Sequence, residues 1–425
     1  MDIMTQYELQ KLFKTKLNAA MRLYLETCTH CGLCVDACHV YQSMPETRYT
    51  AVGRSEIIRK VFLRYFKLEG KIAPWLGEVI ELDDITLDRF YDAAYSCTGC
   101  RRCMVYCPFG IDTQMIMSIA KLLLIGVDKE PKLLSMLADM SIAKGEDVES
   151  SKAGFEEAIA NIEPEVEALW KTSSGQRTIP IDVSNADVLF VALSGKHSIV
   201  PAAAILNAAK VNWTLSSFEA VNFGSFLGDP ERTKRIAGRI IAEAERLKVK
   251  EVAIVECGTA YRVMKQQTGK HPFEIVAFVE LIARYIREGK IHLNKTIEQK
   301  LTYHDPCQIG RNAGIFEDPR FIIHQLAENF VETNPNRDMN WCCGGGGGLV
   351  AMGEKEFRMK SSRVKADQIK ATGAGMVCTA CENCHSQLTD LNEYYGLGMK
   401  VESLTNLSAH ALSIDELHQT AACGK

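Results

Sequence analysis

The sequence contains no long apolar run, no basic face and no secretory leader. No stretch approaches the roughly 20 apolar residues of a membrane-spanning helix, and the opening residues lack the apolar core of a signal peptide. Both absences predict a cytoplasmic protein. Lys and Arg are scattered and the formal net charge is −4, so the chain offers no electrostatic footprint for nucleic acid. A nicotinamide or flavin fingerprint is missing too, because no G-x-G-x-x-G follows a predicted strand. What the chain has in quantity is cysteine, 16 in 425 residues, bunched rather than spread. In a reducing compartment that pattern favours metal ligation over disulfides.

Two runs share one spacing: Cys28-x2-Cys31-x2-Cys34-x3-Cys38 and Cys97-x2-Cys100-x2-Cys103-x3-Cys107-Pro108. Three closely spaced thiolates grip three corners of a cubane 4Fe-4S cluster, and the fourth cysteine of each run ligates the other cluster. The first cluster is thus assigned Cys28, Cys31, Cys34 and Cys107, and the second Cys97, Cys100, Cys103 and Cys38. Zinc is the poorer reading of duplicated four-cysteine runs. The first run departs from the pattern in having His39 where proline would follow Cys38. His39 is read as a surface histidine, with a hydrogen bond to cluster sulfur as the alternative.

A third group is Cys307, the adjacent pair Cys342 and Cys343, then Cys378 and Cys381, with Gly344 to Gly348 directly after the pair. The pattern C-x34-CCG-x33-C-x2-C suits neither a zinc finger nor a disulfide framework. Five thiols with a glycine run suggest another iron–sulfur site, in which Gly344 and Gly345 allow close backbone approach and amide donation to sulfur. His304, Asp305 and His385 flank these ligands and are candidate proton donors. Cys384 is read as a bystander on a helix face, with a spare ligand or resolving thiol as the alternative. Cys257 is read as a small buried residue, and Cys423 receives no role.

Periodicity organises the rest. Residues 5 to 26 place Leu9, Leu12, Phe13, Leu17, Ala20, Met21 and Tyr24 at helical spacing, and the stretch between the runs carries a helical stripe that includes Ile57, Val61, Phe62, Tyr65 and Phe66. The apolar face of residues 9 to 24 is read as packing on its own domain and the aromatic stripe as core; the alternative makes that face and the aromatics from Phe62 to Phe66 the surfaces expected to dock a partner. Residues 1–125 form an α-helical ferredoxin domain, 126–183 a helical linker and 184–425 an α/β domain. In the last, short apolar segments (Asp187 to Leu193, Val200 to Ala209, Glu251 to Val255, Leu301 to His304, Ala374 to Val377) read as mainly parallel strands. A degenerate internal repeat aligns Asn222-Phe223-Gly224 with Cys342-Cys343-Gly344, Cys257 with Cys378, and the neighbourhood of Ser194 with Cys307.

Paired ferredoxin runs joined by a long helical insert and followed by C-x34-CCG-x33-C-x2-C resemble the cysteine-rich-domain iron–sulfur family. It includes the D subunit of heterodisulfide reductase and the cytoplasmic iron–sulfur subunits of the Dsr, Hmc and Tmc transmembrane redox complexes of sulfate reducers. The resemblance implies two cubane 4Fe-4S clusters and one noncubane 4Fe-4S cluster, the last held by Cys307, Cys342, Cys343, Cys378 and Cys381. It implies reduction of a disulfide or trisulfide. It also implies an integral-membrane cytochrome b-type partner, a small thiol/disulfide carrier protein as possible substrate, and a peripheral place on the inner face of the cell membrane. The alternative is an electron-transfer-only subunit between a membrane module and a flavin-dependent dehydrogenase.

Overall fold

The structure, a computed structural model, describes residues 1–75, 78–170, 178–191, 195–216, 223–254 and 257–413. Ser194, Asn222, Val255, Glu256 and Cys423 lie outside the described residues. The chain forms two compact units that are not consecutive in sequence: Met1–Leu137 with Phe223–Thr233 and Asp338–Asp367, and Ala138–Asn222 with Lys234–Arg337 and Gln368–Lys425. This differs from three successive segments, because the stretch bearing Cys342 and Cys343 returns to the N-terminal unit.

The first unit is helical. The helix expected over residues 5–26 is broken into Ile3–Lys16 and Ala19–Thr27. Asn18 causes the break: its side chain accepts from the Met21 amide at 2.8 Å and starts a new helix, a cap that stabilises by about 1 kcal/mol. Leu9, Phe13, Met21 and Leu25 all face inward and are buried. Phe13 meets Phe66 edge-on at 5.1 Å, and Phe66 stacks on Phe62 at 6.0 Å. Helix Ala51–Phe66 buries Ile57, Ile58, Val61 and Phe62 against this layer. The surfaces expected to dock a partner are therefore largely interior, since each aromatic gains more from burial in its own core than a lone amphipathic stripe reveals. In the first unit the large apolar side chains that face solvent include Ile3, Met4, Leu68, Trp75 and Ile85.

The second unit contains two four-stranded parallel sheets. In the first, β1 (Val188–Val191), β2 (Trp213–Leu215), β3 (Glu251–Ile254) and β4 (Glu274–Ala277) lie in the order β2-β1-β3-β4. In the second, β5 (Leu301–His304), β6 (Phe330–Glu332), β7 (Met376–Thr379) and β8 (Lys400–Ser403) lie in the order β6-β5-β7-β8. The topology is the same, and so is the register at the centre: Val188 pairs with Glu251 as Leu301 pairs with Met376. An internal repeat is present, but its alignment shifts. Ala253 occupies the strand position of Cys378, and Cys257, which N-caps helix Gly258–Gln267, corresponds to Cys381, which N-caps helix Glu382–Tyr394. A cysteine followed three places on by a small residue at both sites, Cys257-x-x-Ala260 and Cys378-x-x-Cys381, misled the sequence alignment by three residues.

Residues 200–209 belong not to a strand but to helix Lys196–Ala208, whose alanines are buried on nearly every side. A helix enclosed all round loses its amphipathic signature and reads as an apolar run. Among the strands missed by periodicity, β2, β6 and β8 are edges of three or four residues, and β6 and β8 are only half-buried for most of their length. The expected linker is also integral, for helix Val148–Trp170 contributes Ile159, Ile162 and Val166 to the core of this unit. No described helix is long and apolar enough to cross a membrane.

Candidate metal centres

The two cysteine runs adopt the same backbone turn. In each, the third and fifth residues are left-handed: His30 at φ 55° and Gly32 at 82°, Gly99 at 66° and Arg101 at 60°. Glycine enters that region freely, whereas His30 and Arg101 carry strain on the order of 1 kcal/mol. Each is pinned by a carboxylate, His30 Nε2 at 2.8 Å from Glu56 Oε2 and Arg101 Nη2 at 2.7 Å from Asp112 Oδ2. After Cys107 the chain turns through Pro108 and Gly110, whereas Cys38 directly begins helix His39–Ser43.

The turns deliver the thiols to two cavities. One is lined by Cys28, Cys31, Cys34 and Cys107 together with Cys103, the other by Cys38, Cys97, Cys100 and Cys103. Burial pushes the Cys34 and Cys97 thiols up and the Cys103 thiol well up. Such thiols ionise when a cation compensates them, which suits an iron-bearing group and not free nucleophiles. With Cys103 shared between the two linings, four of the sulfurs at each cavity fit a 4Fe-4S cluster.

The second cavity also holds a buried cation. Arg54, 2% exposed, donates to Cys38 Sγ at 3.3 Å and to the Ser96 carbonyl and hydroxyl at 3.2 and 3.1 Å. Burial alone would lower its pKa, but the facing thiols of Cys38 and Cys97 raise it, so the guanidinium stays charged. His39 is buried as well, 2% exposed, which corrects its reading as a surface residue.

Cys342 and Cys343 belong to this same unit. Arg102 ties their segment down: it donates to the Ala37 and Met339 carbonyls at 2.9 and 2.8 Å, and its guanidinium lies 3.5 Å over the Trp341 ring. The Cys342 thiol donates to Thr98 Oγ1 at 3.5 Å. The amides of Gly344 and Gly345 donate to the Cys342 and Cys343 sulfurs at 3.4 and 3.5 Å. The next two glycines serve a different purpose. A Cβ on Gly346 would sit 2.6 Å from the Thr98 carbonyl oxygen, and one on Gly347 2.5 Å from that of Cys97. Two of the five glycines therefore let the run press on the second cysteine run. Lys121, which burial lowers to about 8, donates to the Phe226 carbonyl at 2.6 Å and to the carbonyl of Gly347, in the glycine run, at 3.5 Å.

The remaining thiols lie in the second unit. Cys307 is half-buried in the loop after β5, Cys378 lies within β7, and Cys381 begins the following helix. The Cys384 thiol and the amide of Gly258 hydrogen-bond to Cys381 and hold it below the usual thiol range, whereas burial pushes Cys378 well up. Cys384 is thus no bystander. Burial, then the charge of Cys381, pushes Cys257 up to about 12, in keeping with an inert residue. Gly258 permits the half-repeat to approach, for a Cβ there would lie 2.6 Å from Gln308. A His304 imidazole nitrogen lies within 4.8 Å of Cys384 Sγ. Asp305 is committed elsewhere, since both its oxygens accept from Arg320 at 2.8 and 2.9 Å. His385 lines a cavity of about 330 Å³ with His197, Glu382 and His410, and no cysteine faces it.

Residues 24–111 match the 4Fe-4S dicluster domain, and residues 301–389 match the cysteine-rich domain. It is 26% identical, over 93% of its length and 81% of the relative's, to an Hdr-like menaquinol oxidoreductase iron–sulfur subunit of Archaeoglobus fulgidus. It is 27% identical, over 94% of its length and 97% of the relative's, to the D subunit of the dihydromethanophenazine:CoB–CoM heterodisulfide reductase of Methanosarcina mazei. An EtfAB:quinone oxidoreductase of Syntrophomonas wolfei is 23% identical over 87% of this chain and 55% of the relative. These likenesses support an iron–sulfur electron-transfer subunit with an oxidoreductase role.

Within the first unit, sequence reasoning located the thiols but missed Arg54, Thr98, Arg102 and Lys121. Arg54 follows Val52 and Gly53 in an otherwise amphipathic helix and resembles any solvated arginine. The one available signal was Arg102, the second of two arginines inside the cysteine run, where a solvated side chain has little room.

Proposed function

We propose that this chain is the iron–sulfur subunit of a membrane-associated redox complex, receiving electrons singly at its dicluster domain and using them in pairs to cleave a disulfide or trisulfide at its cysteine-rich domain. Cys28, Cys31, Cys34 and Cys107 hold one cubane cluster, Cys97, Cys100, Cys103 and Cys38 the other, and Cys307, Cys342, Cys343, Cys378 and Cys381 a noncubane cluster. When bound, the cubanes supply one-electron transfer, and the noncubane cluster supplies an iron at which a substrate sulfur is held. The chain's own residues support this division of labour. Arg54 lowers the cost of added negative charge beside the second run. Cys384 and the Gly258 amide keep Cys381 in its ligating, ionised form. His304, beside Cys384, is the proton source for a departing sulfur, a role that His385, facing a cavity without cysteine, fills less well.

The observation that carries this reading is the placement of Cys342, whose sulfur lies within 4.8 Å of Cys100 Sγ and whose pair partner receives its own glycine amide. A plain wire has no need of an adjacent pair so cradled. The electron donor is an integral-membrane cytochrome b-type subunit, the substrate a small thiol/disulfide carrier protein, and the site of action the inner face of the cell membrane. The likeness to a quinone oxidoreductase favours a second reading, an electron-transfer-only subunit serving a flavin enzyme.

Anaerobic purification distinguishes these. Three clusters' worth of iron and acid-labile sulfide are expected, and stoichiometric zinc with little sulfide rejects the proposal. Cys342→Ser and Cys343→Ser should spare both cubane signals and abolish disulfide turnover with an artificial donor. Turnover that survives both substitutions rejects cleavage at the cysteine pair, and no turnover by the unsubstituted protein leaves the electron-transfer-only reading.

A further inference from the structure

His39 is a buried imidazole of which neither ring nitrogen has a hydrogen-bond partner among the described residues. Leaving such a group unbonded costs about 1–3 kcal/mol, so its burial calls for a partner that assembly supplies. One of its nitrogens, Cys100 Sγ and Cys342 Sγ all lie within 4.8 Å of one another. Cys100 belongs to the second cysteine run and Cys342 to the adjacent pair, so His39 stands where one sulfur set meets the other. Arg54 does not compete for it, being engaged with Cys38 and Ser96 on the same cavity.

We propose that His39 donates an N–H···S hydrogen bond to the sulfur ligands at the junction of Cys100 and Cys342, stabilising the reduced state of the second cubane cluster and easing transfer of its electron toward the cysteine pair. The inference rests on the cluster assignment above. A neutral imidazole offers one N–H, and such a bond to a ligating thiolate offsets part of the charge added on reduction. The proline that follows Cys107 at the equivalent place in the other run has no N–H to give.

The test uses the full-length protein purified without oxygen, with His39→Leu and His39→Gln. Redox titration followed by EPR should show the midpoint of the second cubane shifted to lower potential in His39→Leu, that of the first unmoved, and a partial return in His39→Gln, whose amide still donates. Pulsed EPR on protein carrying 15N-histidine should detect nitrogen coupled to the reduced second cubane, and His39→Leu should lose it. An unshifted midpoint in His39→Leu, or no histidine coupling in the unsubstituted protein, overturns the proposal. Should His39→Leu not assemble, the labelled unsubstituted protein and His39→Gln still decide. Absence of any cubane signal from the unsubstituted protein would instead reject the cluster assignment, and this inference with it.

Discussion

At the scale of single residues, the second thiol cavity is defined as much by Arg54 as by its cysteines. A unit charge roughly 6 Å from an added electron contributes about 3 kcal/mol at an effective dielectric constant of about 20, which corresponds to a potential on the order of 100 mV for one electron. Arg54→Met should therefore lower the midpoint of the second cubane by that order, and Arg54→Lys by less, with the first cubane unchanged. An EPR redox titration of the two variants checks this, and equal shifts in both cubanes would contradict it. The cysteines were legible because ligation imposes spacing on neighbours in sequence. Arg54 and His39 were not, because their roles depend on being enclosed, and enclosure leaves no mark on a single charged or aromatic letter. Asp305 shows the converse: beside Cys307 it reads as a proton donor, but Arg320, fifteen residues on, occupies both its oxygens.

At the scale of elements, the glycine run is the most informative. Its first members donate amides to sulfur, while Gly346 and Gly347 are small because the Cys97–Thr98 backbone lies against them. Gly347→Ala adds a Cβ at 2.5 Å from a carbonyl oxygen and strains a φ of +69°, so the segment must move. Gly353→Ala, at φ +76° with nothing within 4 Å, bears the backbone strain alone. The first should cost roughly 2–3 kcal/mol of stability and the second about 1 kcal/mol, as thermal melts of the two holo variants would show. Similar costs would mean that the close approach carries no weight. The strands at sheet centres were readable as short apolar segments, whereas helix Lys196–Ala208 was mistaken for one because, enclosed on nearly all sides, it keeps no polar face to betray its period.

At the scale of the whole molecule, sequence order and structural order diverge. The first unit is completed by Phe223–Thr233 and Asp338–Asp367, the latter following most of the second unit in sequence. A chain ending at Leu137 should assemble the first cubane, whose cavity is lined wholly by residues of its own length, and hold the second weakly, lacking Gly346 and Gly347 against Cys97 and Thr98. Iron content and EPR of that fragment beside the full chain test the point, and two equally stable cubanes would refute it. The sequence by itself determined the local parts: two cysteine runs, a third cysteine set, and a division into helical and α/β regions. All of these follow from spacing and period within a few turns of chain. Tertiary structure alone decided that Cys342 and Cys343 join the first unit, that Cys257 answers to Cys381, that Arg54 and His39 lie buried beside cysteine thiols, and that Arg102 lies buried over the Trp341 ring. Each depends on contacts between residues far apart in the chain, where a local pattern carries no information about what will be brought beside it.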